Sequence, residues 1–221
     1  MTNSIRTDVK IFDLIDPDQQ EKSLRMIKFF AEKVLELDEL ATQYEPYRRA
    51  DSSESKQVLL QTEQQFSTPK DTKAGRNEFI HKFDSLIREK LLEFIDHCST
   101  FRFWFTLQRP TISDSNNFGL SVLETVIGMA TNMENMASEG LARFGAYAEE
   151  RGNLFVNFFQ FPQFDDVKEA IVVLDQQELA LDAISLFDIR NFYLFLHDTI
   201  VKNFDKIKSA PQLRKYAPDS L

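Results

Sequence analysis

The stretch Pro110-Thr111-Ile112-Ser113-Asp114-Ser115-Asn116-Asn117-Phe118-Gly119 interrupts a chain that reads as helix on both sides. Upstream, Phe79, Ile80, Phe83, Ile87, Leu91, Phe94 and Ile95 recur at threes and fours. They predict a helix from Asn77 to about residue 108, which Pro110 stops. Downstream, Leu120, Leu123, Ile127, Ala130, Met133, Ala137, Leu141 and Phe144 continue the same period from Gly119 to Phe159, and Pro162 ends it. A further helix is expected from Asp165 to Lys208, through Val167, Ile171, Leu174, Leu181, Ile184, Phe192, Leu196 and Ile200. At about 1.5 Å per residue these last two helices are each roughly 60 Å long.

Nearer the N-terminus, Asp16-Pro17 has the chemistry of a helix start: a side-chain cap, then a proline at the first helical position. Met26, Ile27, Phe30, Val34, Leu37 and Leu40 then predict a helix over 17–45, ended by Pro46. The pattern dissolves between 46 and 75, where Ser, Asp, Pro and Gly collect. That stretch is expected to be a flexible, disordered insert, with at most a turn or brief helix at Val58-Leu59-Leu60. The predicted fold is all-α: an up-down four-helix bundle of long helices over 17–208. A segment 1–16 precedes it and a tail 209–221 follows.

Composition narrows the function. The net charge of −9 over 221 residues argues against general nucleic-acid binding, which needs Lys and Arg against phosphates. It also argues against docking on an acidic membrane surface, and no apolar run approaches the roughly 20 residues of a membrane span. The single cysteine, Cys98, cannot form an intramolecular disulfide and reads as a small buried apolar residue. With no secretory leader in the pattern, it points to a reducing, intracellular compartment. Twenty-one phenylalanines imply a thick core, a subunit interface, or both.

Enzyme chemistry has little support. His81, His97 and His197 show no metal-ligand spacing, and His97 and Cys98 are helix neighbours that point in different directions. No glycine-rich phosphate loop is present. The expectation is no catalytic residue, no metal and no cofactor. The 110–119 segment itself has two physical readings. One is a plain helix–helix turn: proline stops, Ser, Asp and Asn turn, glycine restarts. The other is a stiffened polar loop, longer than a turn needs, that presses on another protein's backbone.

The loop resembles the activation loop of the 11S (REG) proteasome activators, whose pattern reads Pro-x-Ile-x-Asp-Gly-Asn-Asn-Phe-Gly. Pro110, Ile112, Asp114, Asn116, Asn117, Phe118 and Gly119 match it. Ser115 stands where the family usually has glycine, and Thr111 where arginine is common. A second resemblance lies in Arg190-Asn191-x-Tyr193 and in Leu196-His197-Asp198-x-Ile200-x-Lys202-Asn203-x-x-Lys206-Ile207-Lys208, similar to the family's last helix. The two matches occur in family order and spacing across roughly 77–208.

The resemblance implies a ring, a homoheptamer as in the family, that caps the α-ring of a 20S proteasome. It implies that Asn116, with the neighbouring loop residues, holds the core particle's gate open. The last residues of each subunit, Ala217, Pro218, Asp219, Ser220 and Leu221, would enter pockets between α-subunits, although the terminal aromatic of animal members is missing. The expected activity is ATP-independent stimulation of peptide hydrolysis by a non-catalytic regulator in the cytoplasm, the nucleus or both. The alternative is a helical scaffold whose Phe-rich faces bind other helices, with no dependence on Asn116 or on the terminus.

Overall fold

Four long helices pack side by side, and a short fifth lies across their flank. The computed structural model describes residues 19–67, 75–107 and 117–209. Helix α1 spans Gln19–Tyr44, α2 Ser53–Gln64, α3 Glu78–Leu107, α4 Asn117–Gln160 and α5 Asp165–Ser209. Single turns of 3-10 helix at Glu45–Arg48 and Gln65–Ser67 flank α2. The described residues contain no strand, and none of their helices is long and apolar enough to cross a membrane. The four long helices agree with the expected bundle to within about two residues at each described end.

Local chemistry sets the boundaries. Asn77 caps α3, its Oδ1 accepting from the N–H groups of Phe79 and Ile80 at 3.1 and 3.3 Å. α4 ends one residue before Phe161, whose N–H still reaches the Asn157 carbonyl at 2.9 Å, and Pro162 prevents continuation. α5 restarts with Asp165 and Asp166 in its first turn, where carboxylates favour the helix dipole.

Cross-helix pairs fix the directions. Rising numbers on α4 meet falling numbers on α5: Arg143 pairs with Asp182 and Arg151 with Asp175, each at 2.7 Å. α1 runs against α3 in the same way, with Lys33 paired to Glu93, and Glu36 to Lys90 at 2.6 Å. α3 runs parallel to α5, since Asp84 lies with Asp182 and His97 with Tyr193. The order is up, down, up, down.

The core is aromatic. Phe30, Phe94, Phe101, Phe105, Trp104 and Tyr193 are each at most 2 % exposed. Phe94 meets Tyr193 edge-on at 4.9 Å, Phe30 meets Phe101 at 5.2 Å, and Phe101 meets Phe105 at 4.4 Å. Burying each such side chain contributes about 1.5–3 kcal/mol. Cys98 sits in this core at 1 % exposure, and burial pushes its thiol up to about 12.

The expectation of a disordered insert over 46–75 is corrected for the described part. α2 forms there, capped by Ser52, whose hydroxyl accepts from the Ser55 N–H at 3.1 Å. It buries Val58, Leu59 and Thr62 and packs on α5. The sequence conceals it because half of its buried face is Ser55 and Thr62, so no apolar stripe repeats. Residues 68–74, and the Asp16-Pro17 start expected for the first helix, lie outside the described residues.

Candidate functional site

The directions of the helices decide where the two expected functional segments leave the bundle. α3 ends at Leu107, α4 begins at Asn117, and α5 ends at Ser209. With α3 and α5 parallel and α4 opposed, those three ends lie at one end of the bundle. Residues 108–116 therefore bridge two helix ends beside the point where 210–221 leaves. A loop that acts on a partner and a tail that grips it would be presented together.

Pro110, Ile112, Asp114, Ser115 and Asn116 lie outside the described residues, as do Ala217, Pro218, Asp219, Ser220 and Leu221. Asn117, Phe118 and Gly119 were expected in the loop, but they form the first turn of α4. The helix thus takes three of the residues expected in the loop. Its mounts are firm. The last turns of α3 bury Phe101, Trp104 and Phe105, and the first turns of α4 bury Leu123 and Val126 in the same core. Trp104 stands edge-on to Phe105 at 4.8 Å.

At mid-bundle, His97 Nδ1 lies 2.7 Å from the Tyr193 hydroxyl and its ring stands edge-on to Phe29 at 4.7 Å. Burial lowers its pKa. His97 and Cys98 do point apart, one to α5 and one into the core. His81 pairs with Arg76 at 2.8 Å, and His197 is half-buried on α5. The described residues bring no two of the three histidines together as ligands.

Two buried polar layers occupy the other half of the bundle, and the sequence reading passed over both. In the first, Asp175 is fully buried and accepts from Arg151, Tyr147 and Thr62. Arg151 also donates to the Gly75 carbonyl and to Gln65 at 3.2 Å each. In the second, Arg143 pairs with Glu178 at 2.8 Å and with Asp182 at 2.7 Å, and Asp84 lies beside them. Burial pushes Asp182 up to about 9 and Glu178 up to about 7, and raises Asp84 as well. The available signal was acids at 175, 178 and 182 on the buried stripe of α5, opposite arginines at 143 and 151 on α4. Those spacings put each set on one helix face.

Comparison with known proteins places this architecture. The family model described as "Proteasome activator PA28, C-terminal" matches residues 73–215, which include the loop, α3 to α5 and the start of the tail. Human proteasome activator complex subunit 3 is 30 % identical over 122 residues, covering 55 % of this chain and 48 % of that one. The chain thus spans about half the length of that relative. Proteasome activator 28 of Dictyostelium discoideum is 27 % identical over 195 residues, 87 % of each chain. Among solved structures, the 11S subunit of the Plasmodium falciparum proteasome, PA28, shares the fold with a TM-score of 0.69 at 22 % identity, over 90 % of each chain. Since the family model covers well over half of its length, the chain belongs to the proteasome activator PA28 family.

Proposed function

We propose that this chain is a non-catalytic, ATP-independent activator of the 20S proteasome. Subunits assemble into a ring, a homoheptamer, which caps the α-ring. The tails, through Ala217 to Leu221, supply docking, and many weak tails on one ring bind well through high effective concentration. The loop, with Asn116 at its centre, shifts the gate of the core particle. Binding energy alone moves the closed–open equilibrium, so the loop must contact the open state better than the closed one. The site of action is cytoplasmic, nuclear or both.

The observation that carries this reading is the family match across 73–215, in which loop and tail leave from one end of the bundle. Self-association is supported by large apolar side chains exposed on the single chain, among them Leu194, Phe195 and Val201 on α5. The test is hydrolysis of short fluorogenic peptides by 20S core with and without the assembled protein, beside Asn116→Tyr and a deletion of the last five residues. Stimulation should vanish in both variants, while binding to 20S survives only in Asn116→Tyr. An assembled ring that binds but gives no stimulation, or a monomer indifferent to both changes, would leave the scaffold reading in its place.

A further inference from the structure

We propose that the cleft between α3 and α4 binds a small organic dianion, a phosphate ester that carries a second acidic group, through Arg76 at one end and Arg88 at the other. The cleft has a volume of about 390 Å³, within the range of roughly 300–1,000 Å³ usual for small-molecule sites. Helix periodicity builds its walls. From Asn77, the cap of α3, the lining residues His81, Asp84 and Arg88 follow at fours and threes. On α4, Phe144, Tyr147, Ala148, Arg151 and Phe155 face them at the same spacing. Ala148 offers only a methyl group, and a Cβ added at Gly152 would meet nothing within 4 Å, so the mouth stays open.

The two ends differ. At the first, Arg76 Nη1 lies 2.8 Å from His81 Nε2, and Arg151 Nη1 donates to the carbonyl of Gly75, the residue before Arg76. At the second, the Arg88 guanidinium stands 4.6 Å above the Phe144 ring. His81 and Arg88 are seven residues apart on one helix, which separates the ends by about 10 Å at the rise of an α-helix. The ring under Arg88 holds the plane of the guanidinium and leaves its N–H edge free for an oxyanion. Phe144, Tyr147 and Phe155 offer the body of a ligand an aromatic wall.

Charge selects the ligand. Asp175 neutralises Arg151. Arg76 meets the His81 ring and Arg88 the Phe144 ring, and among the described residues neither forms an ion pair with a carboxylate. Asp84 is the carboxyl of the lining. It is 4 % exposed and hydrogen-bonds Asp182, and burial favours its protonated form. Even ionised, it offsets only one of the two free guanidiniums. On a chain of net charge −9 such a place is a local exception, and it draws anions. The cleft lies in the half of the bundle away from the loop and tail, and its ligand is independent of proteasome activation.

The test is calorimetric titration of the full-length assembled protein at fixed ionic strength, with 4-carboxyphenyl phosphate and phenyl phosphate as probes. The first should bind at one site per chain. The second, which leaves Arg88 unused, should bind roughly tenfold more weakly. Arg88→Gln should bring the first probe down to the level of the second and leave the second unchanged. Arg76→Gln should weaken both. Ala148→Leu fills the mouth without changing a charge and should also weaken both, which keeps the test decisive if an arginine variant fails to fold. No saturable binding of 4-carboxyphenyl phosphate would overturn the proposal. So would equal affinity for the two probes, or binding unchanged in folded Arg76→Gln or Ala148→Leu.

Discussion

Arg151 on α4 holds the fully buried Asp175 on α5 with two bonds, Nε to Oδ1 at 2.7 Å and Nη2 to Oδ2 at 3.1 Å. From the same guanidinium it reaches back to the Gly75 carbonyl and the Gln65 side chain. One side chain therefore joins two long helices to the segment that carries α2. Arg151→Ala leaves Asp175 buried with hydroxyl partners only, and should cost about 3–5 kcal/mol. Denaturant unfolding measures that loss. Limited proteolysis should show new cleavage between residues 48 and 75, and unchanged protection of α2 would refute the fastening role.

His97 makes stability depend on pH in a defined direction. Its folded pKa lies below the ordinary value of 6.5, so the unfolded chain takes up the proton more readily. The contribution is complete above about pH 6.5 and is lost as pH falls through the folded value. His97→Gln, which can still accept from the Tyr193 hydroxyl, should lose less stability than wild type between pH 7 and pH 5. Melting curves of the two proteins across that range compare them directly; parallel curves would contradict the expectation.

Cys98 should be inert in the folded protein. It is almost fully buried and its thiol is pushed up to about 12, so thiolate is scarce and access is blocked. Iodoacetamide at pH 8 should label it in denaturant and leave the native protein unlabelled over the same hour. Rapid native labelling would mean that α3 opens locally.

Gly128 and Gly145 lie on α4, and a Cβ added at either would meet nothing within 4 Å in the single chain. Alanine at each should stabilise the helix by about 1 kcal/mol. Chemical denaturation of the dissociated chain tests this, and ring assembly should be monitored beside it. Stabilised chains that no longer assemble would show a neighbouring subunit pressed against that face.

The departure at residue 115 gives a further test. The family's loop pattern has glycine where this chain has Ser115. Ser115→Gly should raise peptidase stimulation without changing affinity for the core particle, if that position needs a positive φ. Titration of 20S with both rings separates the maximum from the midpoint. A change confined to the midpoint would move the effect of residue 115 to docking.

The long helices were legible because their cores are apolar at regular spacing: Phe79 to Ile95 and Leu120 to Phe144 leave little choice. α2 was not, because Ser55 and Thr62 take buried positions that an apolar stripe would otherwise mark. The polar layers were missed for a related reason. Asp84, Arg143 and Asp182 lie far apart in the chain, and each alone reads as a solvated helix charge. The antiparallel register of α4 on α5, with α3 running parallel beside α5, brings them together. The break between α3 and α4 was legible from Pro110, but the start of α4 was not. Asn117, Phe118 and Gly119 sit as easily in a first helical turn as in a loop, and proline marks only the upstream side.

The aromatic wedge of Phe101, Trp104 and Phe105 sets how a load on the end of α3 would be borne. A protrusion that displaces a neighbour is pushed back with equal force, and a compliant mount would yield before the neighbour did. Here the last turns of α3 are held by rings that meet edge-on, and the first turns of α4 bury Leu123 and Val126 in the same core. A push on those two helix ends would pass along the axes of α3 and α4 as compression, the direction in which a hydrogen-bonded helix is stiffest. Such a load would be shared over the 30 residues of α3 and the 44 of α4.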